Sequence, residues 1–265
     1  MSATPHRPRK RFGQHFLHDL NILQRMADAI SPRADEILVE IGPGKGALTL
    51  PLLERSGTLT VIELDRDLIE PLRKMTLGKG TLEIYNQDVL NFDFSTLTTD
   101  KPALLRVTGN LPYNISTPLI FHLLKQHQLI QDMHFLLQKE VVDRLAAKPG
   151  GGNYGRLSVM VQYYCRVEKL FNVGPGAFTP PPKVDSGFVR LIPYADRPWQ
   201  ATNYEQFAKL VKQAFSQRRK TLRKSLKSLA TDEDFIQSGV DSSLRPERLA
   251  ITDFVDLSNS IIENQ

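Results

Sequence analysis

Asn110-Leu111-Pro112-Tyr113 follows directly on the apolar run Leu104–Val107, and its residue types can act on a flat, amino-bearing ring. The Asn110 amide oxygen accepts hydrogen bonds. Pro112 fixes its φ angle and lacks an N–H, and Tyr113 offers a stacking face for a base turned out of its helix. The same residues also read as a strand end followed by a proline turn. That turn opens a helix at Ser116 or Thr117, with Pro118 in its first turn. Both readings can hold at once.

For such a device to work, other elements must bring a reaction partner to it. Residues 36–41 form a short apolar run that ends in Gly42-Pro43-Gly44-Lys45-Gly46-Ala47, after which residues 48–53 resume a helical pattern. This spacing predicts strand, glycine turn, helix. A second strand over residues 59–64 carries Glu63 at its carboxyl end, where a carboxylate can accept from both hydroxyls of a ribose. A third, over residues 82–87, delivers Asp88 to the equivalent place. With the strand that precedes Asn110, these ends line one crevice of a parallel sheet, which is where open α/β folds bind ligands.

Two nucleoside cofactors suit the crevice. The glycine turn satisfies the loose dinucleotide pattern G-x-G-x-x-[GA], so a nicotinamide dehydrogenase is one reading. Glu40 just before the turn, and Asp88 placed to meet an adenine amino group, favour S-adenosylmethionine. Asp88 would equally serve as a cap for the following turn. In the methyl-transfer reading, the target would be an exocyclic nitrogen such as that of adenine, whose lone pair is delocalised into the ring. The Asn110 oxygen and a backbone carbonyl near Leu111 or Pro112 would accept its hydrogens and turn the lone pair outward. Positioning of this kind supplies much of a displacement barrier when the methyl donor carries its own positive charge.

Composition agrees with a globular enzyme. The chain has 265 residues, 41% of them hydrophobic, enough for one large α/β domain and a smaller appendage. Its lone cysteine, Cys165, excludes an intrachain disulfide framework and a cysteine-based zinc site, which suits a reducing cytoplasm. No apolar run approaches the roughly 18 residues of a membrane span, and the basic start lacks the apolar core of a secretory signal. The formal charge of +5, with a pI near 9.3, points to a polyanionic partner wherever the cations cluster.

They cluster twice. Arg9, Lys10 and Arg11 form an N-terminal arm, either a solvated tail or a phosphate-contacting one, ahead of a helix capped by Asp19 with Leu20, Leu23, Ala27 and Ile30 at helical spacing. Near the other end, Arg218, Arg219, Lys220 and Arg223 sit in a run, residues 217–227, that no acid interrupts. A solvated face is the alternative, but the missing acids favour phosphate contact, and recognition of backbone and shape suits folded RNA. Between the clusters, the pattern predicts a helix from Ser116 to about Gln126, strands over 133–138 and 167–173, and a last strand over 185–193. Residues 157–164 read as a crossover helix. The glycine run 150–152 reads as a linker or a mobile flap near substrate. Residues 174–182 read as a stiff irregular loop holding Phe178, which either stacks on the target base opposite Tyr113 or plugs the core. Helices follow from Trp199, one of them with Phe207, Leu210, Val211, Ala214 and Phe215 at helical spacing.

Gly13-Gln14-His15-Phe16-Leu17, Glu40-Ile41-Gly42-Pro43-Gly44-Lys45-Gly46, Val61-Ile62-Glu63-Leu64-Asp65, Asn110-Leu111-Pro112-Tyr113-Asn114-Ile115 and Phe178-Thr179-Pro180-Pro181-Pro182-Lys183-Val184-Asp185-Ser186 together resemble the bacterial small-subunit ribosomal RNA adenine N6,N6-dimethyltransferase family. The resemblance spans nearly the whole chain. It implies a class I methyltransferase fold over residues 1–196, a seven-stranded, mostly parallel sheet with one antiparallel strand, and a helical RNA-binding domain over 197–265. It also implies S-adenosylmethionine as cofactor and dimethylation of two adjacent adenosines in the 3′-terminal hairpin loop of the small-subunit RNA. The partner would be the assembling small subunit, met by a cytoplasmic monomer. In that family His15 and Leu17 would belong to the cofactor pocket, although Asn is common where this chain has His15. Gly42 and Gly44 would admit the methionine end, Glu63 would hold the ribose and Asp88 the adenine amino group, and Asn110 would bridge cofactor and target. Leu111 is the version associated with dimethylation. Rival readings are the related large-subunit methyltransferase of erythromycin resistance, the dehydrogenase, and an assembly checkpoint for which methylation is secondary.

Overall fold

The local patterns become a seven-stranded sheet in a computed structural model that describes residues 15–98, 104–217 and 219–263. Arg9, Lys10, Arg11 and Arg218 lie outside the described residues. In chain order the first unit holds β1 (Phe16–Leu17), α1 (Leu20–Ile30), β2 (Ile37–Ile41), α2 (Thr49–Ser56), β3 (Thr58–Ile62), α3 (Ile69–Thr76), β4 (Thr81–Tyr85), β5 (Leu105–Asn110), α4 (Ser116–Leu124) and β6 (Ile130–Gln138). Then come α5 (Lys139–Leu145), α6 (Arg156–Gln162), β7 (Cys165–Val173), β8 (Phe178–Thr179) and β9 (Ser186–Pro193). The strand order is β4-β3-β2-β5-β6-β9-β7. β2, β3, β4, β5 and β6 run parallel, and β9 pairs antiparallel with β6. Leu38, Val39, Val61 and Val107 are buried, as expected where both faces of a parallel sheet are covered.

Register decides which residues reach the crevice. Ile41, Ile62 and Tyr85 stand side by side, so the chain leaves β2, β3 and β4 on one edge. β5 runs further than the sequence predicts, because its pairing with β6 continues to Asn110 opposite Leu136, which makes Asn110 the last residue of the strand. Gly109 allows this. A Cβ there would lie 2.4 Å from the Ile41 carbonyl oxygen, so only glycine lets β5 pass so close to the end of β2.

The opposite edge is held by charge. Arg106 on β5 makes two parallel hydrogen bonds to Asp132 on β6, both 2.9 Å, and donates to Glu36 at 2.8 Å and to the Ile30 carbonyl at 2.7 Å. It therefore occupies carbonyls at the end of α1 and neutralises a fully buried carboxylate. Asp132 also accepts from Arg190 at 2.9 Å. His134 beside them is held neutral, its pKa driven down to about 4 chiefly by burial.

Three expectations change. Asp19 caps α1 through bonds from Asn21 N and Ile22 N, and Leu23, Ala27 and Ile30 are buried; Leu20, however, is 79% exposed, and Met26 takes its place in the core. Residues 174–182 are not wholly irregular, since Phe178 and Thr179 pair antiparallel with Leu17 and Phe16. The N-terminal stretch supplies the backbone partner that the loop lacks by itself. The domain boundary also moves.

The second unit comprises the described residues of Asp143–Val167 and Tyr194–Gln265, whereas the sequence reading began it at 197 and left 143–167 with the sheet. Its later elements are α7 (Tyr204–Ala214), α8 (Leu222–Ser225), α9 (Asp232–Ser238) and α10 (Ile251–Glu263). Aromatic packing recruits the earlier segment. The Tyr163 ring, at the end of α6, lies 4.6 Å from that of Phe207 on α7, and its hydroxyl accepts from Ala201 N at 3.1 Å. The Asn203 side chain caps α7 by accepting from Gln206 N, and Phe207, Leu210, Val211 and Ala214 are buried as their spacing predicts. The glycine run is tied down in this unit. Gly150 N donates to the Glu247 carbonyl, Tyr154 N donates to the Gly151 carbonyl, and the Tyr154 ring is fully buried, which does not suit a mobile flap.

Candidate functional site

A cleft opens on the carboxyl edge of the sheet in the first unit, walled by the ends of β2, β3, β4 and β5 and by β1. It gathers every cofactor residue expected from the sequence: His15, Leu17, Gly42, Gly44, Glu63, Asp88 and Asn110. Leu111, Pro112 and Tyr113 join them.

The glycine turn follows from its backbone. Gly42 and Gly44 have φ of +65° and +57°, a region costly for residues with a Cβ, and a Cβ on Gly44 would meet the Phe16 ring at 3.1 Å. The turn thus lies close under β1 while keeping its floor low. Glu63, one residue past β3, is 6% exposed and accepts from Gly44 N at 3.2 Å and Asp65 N at 2.8 Å. Burial pushes its carboxyl above the usual range, against the lowering effect of these bonds. Glu40 is buried deeper, accepts from the Thr49 hydroxyl at 2.6 Å, and is pushed up to about 7 by desolvation. Asp88 combines both of its readings, since one oxygen caps the following turn through Leu90 N at 3.0 Å and the residue still lines the cleft.

The Asn110 amide is oriented by a contact that the sequence did not reveal. Its Nδ2 donates to the His15 carbonyl at 3.0 Å, and because a carbonyl only accepts, the amide can stand only one way round. Oδ1 is therefore turned away from His15 as an acceptor. His15 is held in turn, its Nδ1 donating to the Pro180 carbonyl at 2.8 Å, and its ring lies 5.5 Å from that of Tyr113. The Tyr113 hydroxyl bonds Ser186 at 3.0 Å, which fixes the partly buried ring at the cleft.

Phe178 is not part of this arrangement. It is 3% exposed and lies in the core cluster with Leu17, Leu23, Val173 and Phe188, the packing that the plug reading expects. Pairing of β8 with β1 turns the ring inward. Lys45, Leu64, Leu90 and Ile115, which residue type and spacing alone do not mark as site residues, also stand on the cleft wall. Leu64 carries a readable signal: it follows Glu63 directly, and it is 51% exposed, an apolar surface beside a carboxylate that suits the face of a nucleobase.

These residues fit S-adenosylmethionine. The low glycine floor admits a chain without side-chain obstruction, carboxylates stand at two strand ends for hydroxyl and amino groups, and apolar Leu64 and Leu90 lie beside them. In the second unit, Arg219, Lys220, Lys224 and Lys227 are exposed, while Leu222 and Leu226 of the same run are buried. Arg223 is engaged with Asp232 at 2.5 Å. Among the described residues no helix is long and apolar enough to cross a membrane.

Comparison with known proteins agrees with this geometry. A model of the ribosomal RNA adenine dimethylase family matches residues 5–263. The ribosomal RNA small subunit methyltransferase A of Pseudomonas syringae pv. syringae strain B728a is 57% identical over 258 residues, 97% of this chain and 96% of that protein. A crystal structure of a dimethyladenosine transferase from Plasmodium falciparum superposes with a TM-score of 0.76 at 30% identity, covering 92% of this chain and 96% of that one. The 23S rRNA methyltransferase ErmE superposes with a TM-score of 0.72 at 25% identity, covering 93% and 99%. Agreement over this length, in sequence and in fold alike, makes the chain a member of the ribosomal RNA adenine dimethylase family, a methyltransferase that uses S-adenosylmethionine.

Proposed function

We propose that this enzyme dimethylates N6 of two adjacent adenosines in the 3′-terminal hairpin loop of small-subunit ribosomal RNA, as a cytoplasmic monomer acting on assembling small subunits. The observation that carries this reading is the Asn110 amide, locked by His15 so that its oxygen is the acceptor offered at the cleft beside Tyr113.

S-adenosylmethionine supplies, when bound, a methyl group made electrophilic by the positive charge on its sulfur. The chain's own residues do the positioning. Glu63 is placed to accept from ribose hydroxyls, and Asp88 from an adenine amino group with the oxygen that Leu90 N does not use. At the target, Asn110 Oδ1 takes one amino hydrogen and a backbone carbonyl takes the other. The Pro112 carbonyl already accepts Ile115 N–H at 3.2 Å, which favours the Leu111 carbonyl as the second acceptor. Held from both sides, the amino nitrogen leaves the ring plane and its lone pair becomes available. Tyr113 stacks on the base. No strong base is needed, because an alkylated amino nitrogen is acidic and gives its proton to water.

Arg219, Lys220, Lys224 and Lys227 would take phosphates of the folded RNA, with Arg218 and the arm residues Arg9, Lys10 and Arg11 adding to them by sequence. Arg223, paired with Asp232, would contribute less. The test is labelled methyl transfer to small subunits lacking these methyls, read by primer extension. Two adjacent stops at the 3′ hairpin are expected, and label on large-subunit RNA would refute the assignment. Neutralising Arg219, Lys220 and Lys224 together should lower the slope of log K against log salt by about 2 to 3, since each phosphate contact contributes roughly 0.7 to 0.9. An unchanged slope would make this a solvated face.

A further inference from the structure

Lys45 lines the cleft and takes no part in the positioning of ribose, adenine or target base. Among the described residues it is the single Lys or Arg on that wall, which also carries the carboxylates Glu40, Glu63, Asp65 and Asp88. No ion pair ties it to any of them. Its Nζ lies instead 4.8 Å from the centre of the Phe16 ring, and that ring rests against Gly44, where a Cβ would come within 3.1 Å of it. The ring thus braces an ammonium above the glycine turn, and a cation–π contact at an exposed site is weak enough to be supplemented by a stronger partner.

The position selects the partner. Glu63 is tied to the glycine turn by its bond from Gly44 N, and Asn110 is tied to the His15 carbonyl, next in the chain to Phe16. A donor whose ribose meets Glu63 and whose methyl meets Asn110 must lay its amino-acid tail along the glycine turn. That tail ends in the donor's one anionic group, a carboxylate, which the ionised carboxylates of that wall would otherwise repel. We propose that Lys45 holds the α-carboxylate of S-adenosylmethionine. This rests on the reading of the cleft given above. An RNA phosphate is the other anion that an exposed lysine on this wall can take, and the test separates the two.

The variant Lys45→Met keeps the aliphatic stem on Phe16 and removes the charge. Calorimetric titration of the full chain with S-adenosylmethionine and with its decarboxylated analogue reads the contact directly. Loss of a charge-assisted hydrogen bond should weaken binding of S-adenosylmethionine by about 10-fold or more. Affinity for the decarboxylated analogue should not change, and Lys45→Arg should recover most of the loss. Equal weakening of both ligands, or of neither, overturns the proposal. So does weaker binding of the RNA hairpin with cofactor affinity intact, which would assign Lys45 to a phosphate. Wild-type protein that binds neither ligand would overturn the cofactor reading itself, and this proposal with it.

Discussion

Replacing Glu40 by Gln should stabilise the ligand-free protein, and only above a certain pH. Glu40 is 2% exposed on a central strand; burial is the largest cause of its raised pKa, the Thr49 hydroxyl opposes the rise, and the charge of Glu63 adds to it. Its carboxyl moves from 4.5 to about 7. Between those values the folded chain keeps a proton that the unfolded chain releases, so stability is fully present below about pH 4.5 and falls as pH rises through about 7. At 1.36 kcal/mol per tenfold change in acidity, the loss at about pH 8 is on the order of 3 kcal/mol. Gln preserves the shape and an acceptor for Thr49 while removing the titration. Urea denaturation of both proteins in the same buffers reads the effect, and the groups they share cancel in the difference. The two curves should lie close together near about pH 4.5, diverge through neutrality, and stay a constant few kcal/mol apart at higher pH. A difference that does not vary with pH would show that Glu40 ionises in the fold as easily as in water.

Asn110→Ala should lower single-turnover methyl transfer by roughly 100- to 1,000-fold, the usual cost of one preorganised polar contact at a reacting centre, with donor affinity changed only a few-fold. Transfer within about 3-fold of wild type would remove Asn110 from the chemistry. Arg106→Met leaves the buried Asp132 with Arg190 as its remaining charged hydrogen-bond partner, beside neutral His134, and should cost about 3 kcal/mol of unfolding free energy in urea, the low end for a broken buried pair. A loss below about 1 kcal/mol would mean that Asp132 is protonated or solvated once Arg106 is gone.

Much of the cleft was written in local sequence. Strand, glycine turn and helix over residues 36–53 are set by short-range periodicity and by the backbone freedom of glycine, and the carboxylates Glu63 and Asp88 fall at strand ends by counting along their own elements. The buried face of α7 is legible for the same reason, because an apolar stripe at 3.6-residue spacing must be covered by something. What covers it is not local information. That Phe178 packs inward, that Leu20 is left in solvent and that Asp143–Val167 belongs with the C-terminal helices were decided by which surfaces met. Contacts across long separations were equally hidden: His15 orients Asn110 across 95 positions, and Arg106 meets Asp132 across 26. A residue's type and spacing determine the chemistry it can offer and the face it occupies. Only register and packing between distant segments determine which partner holds it, and so whether an amide such as Asn110 presents its oxygen or its nitrogen to the cleft.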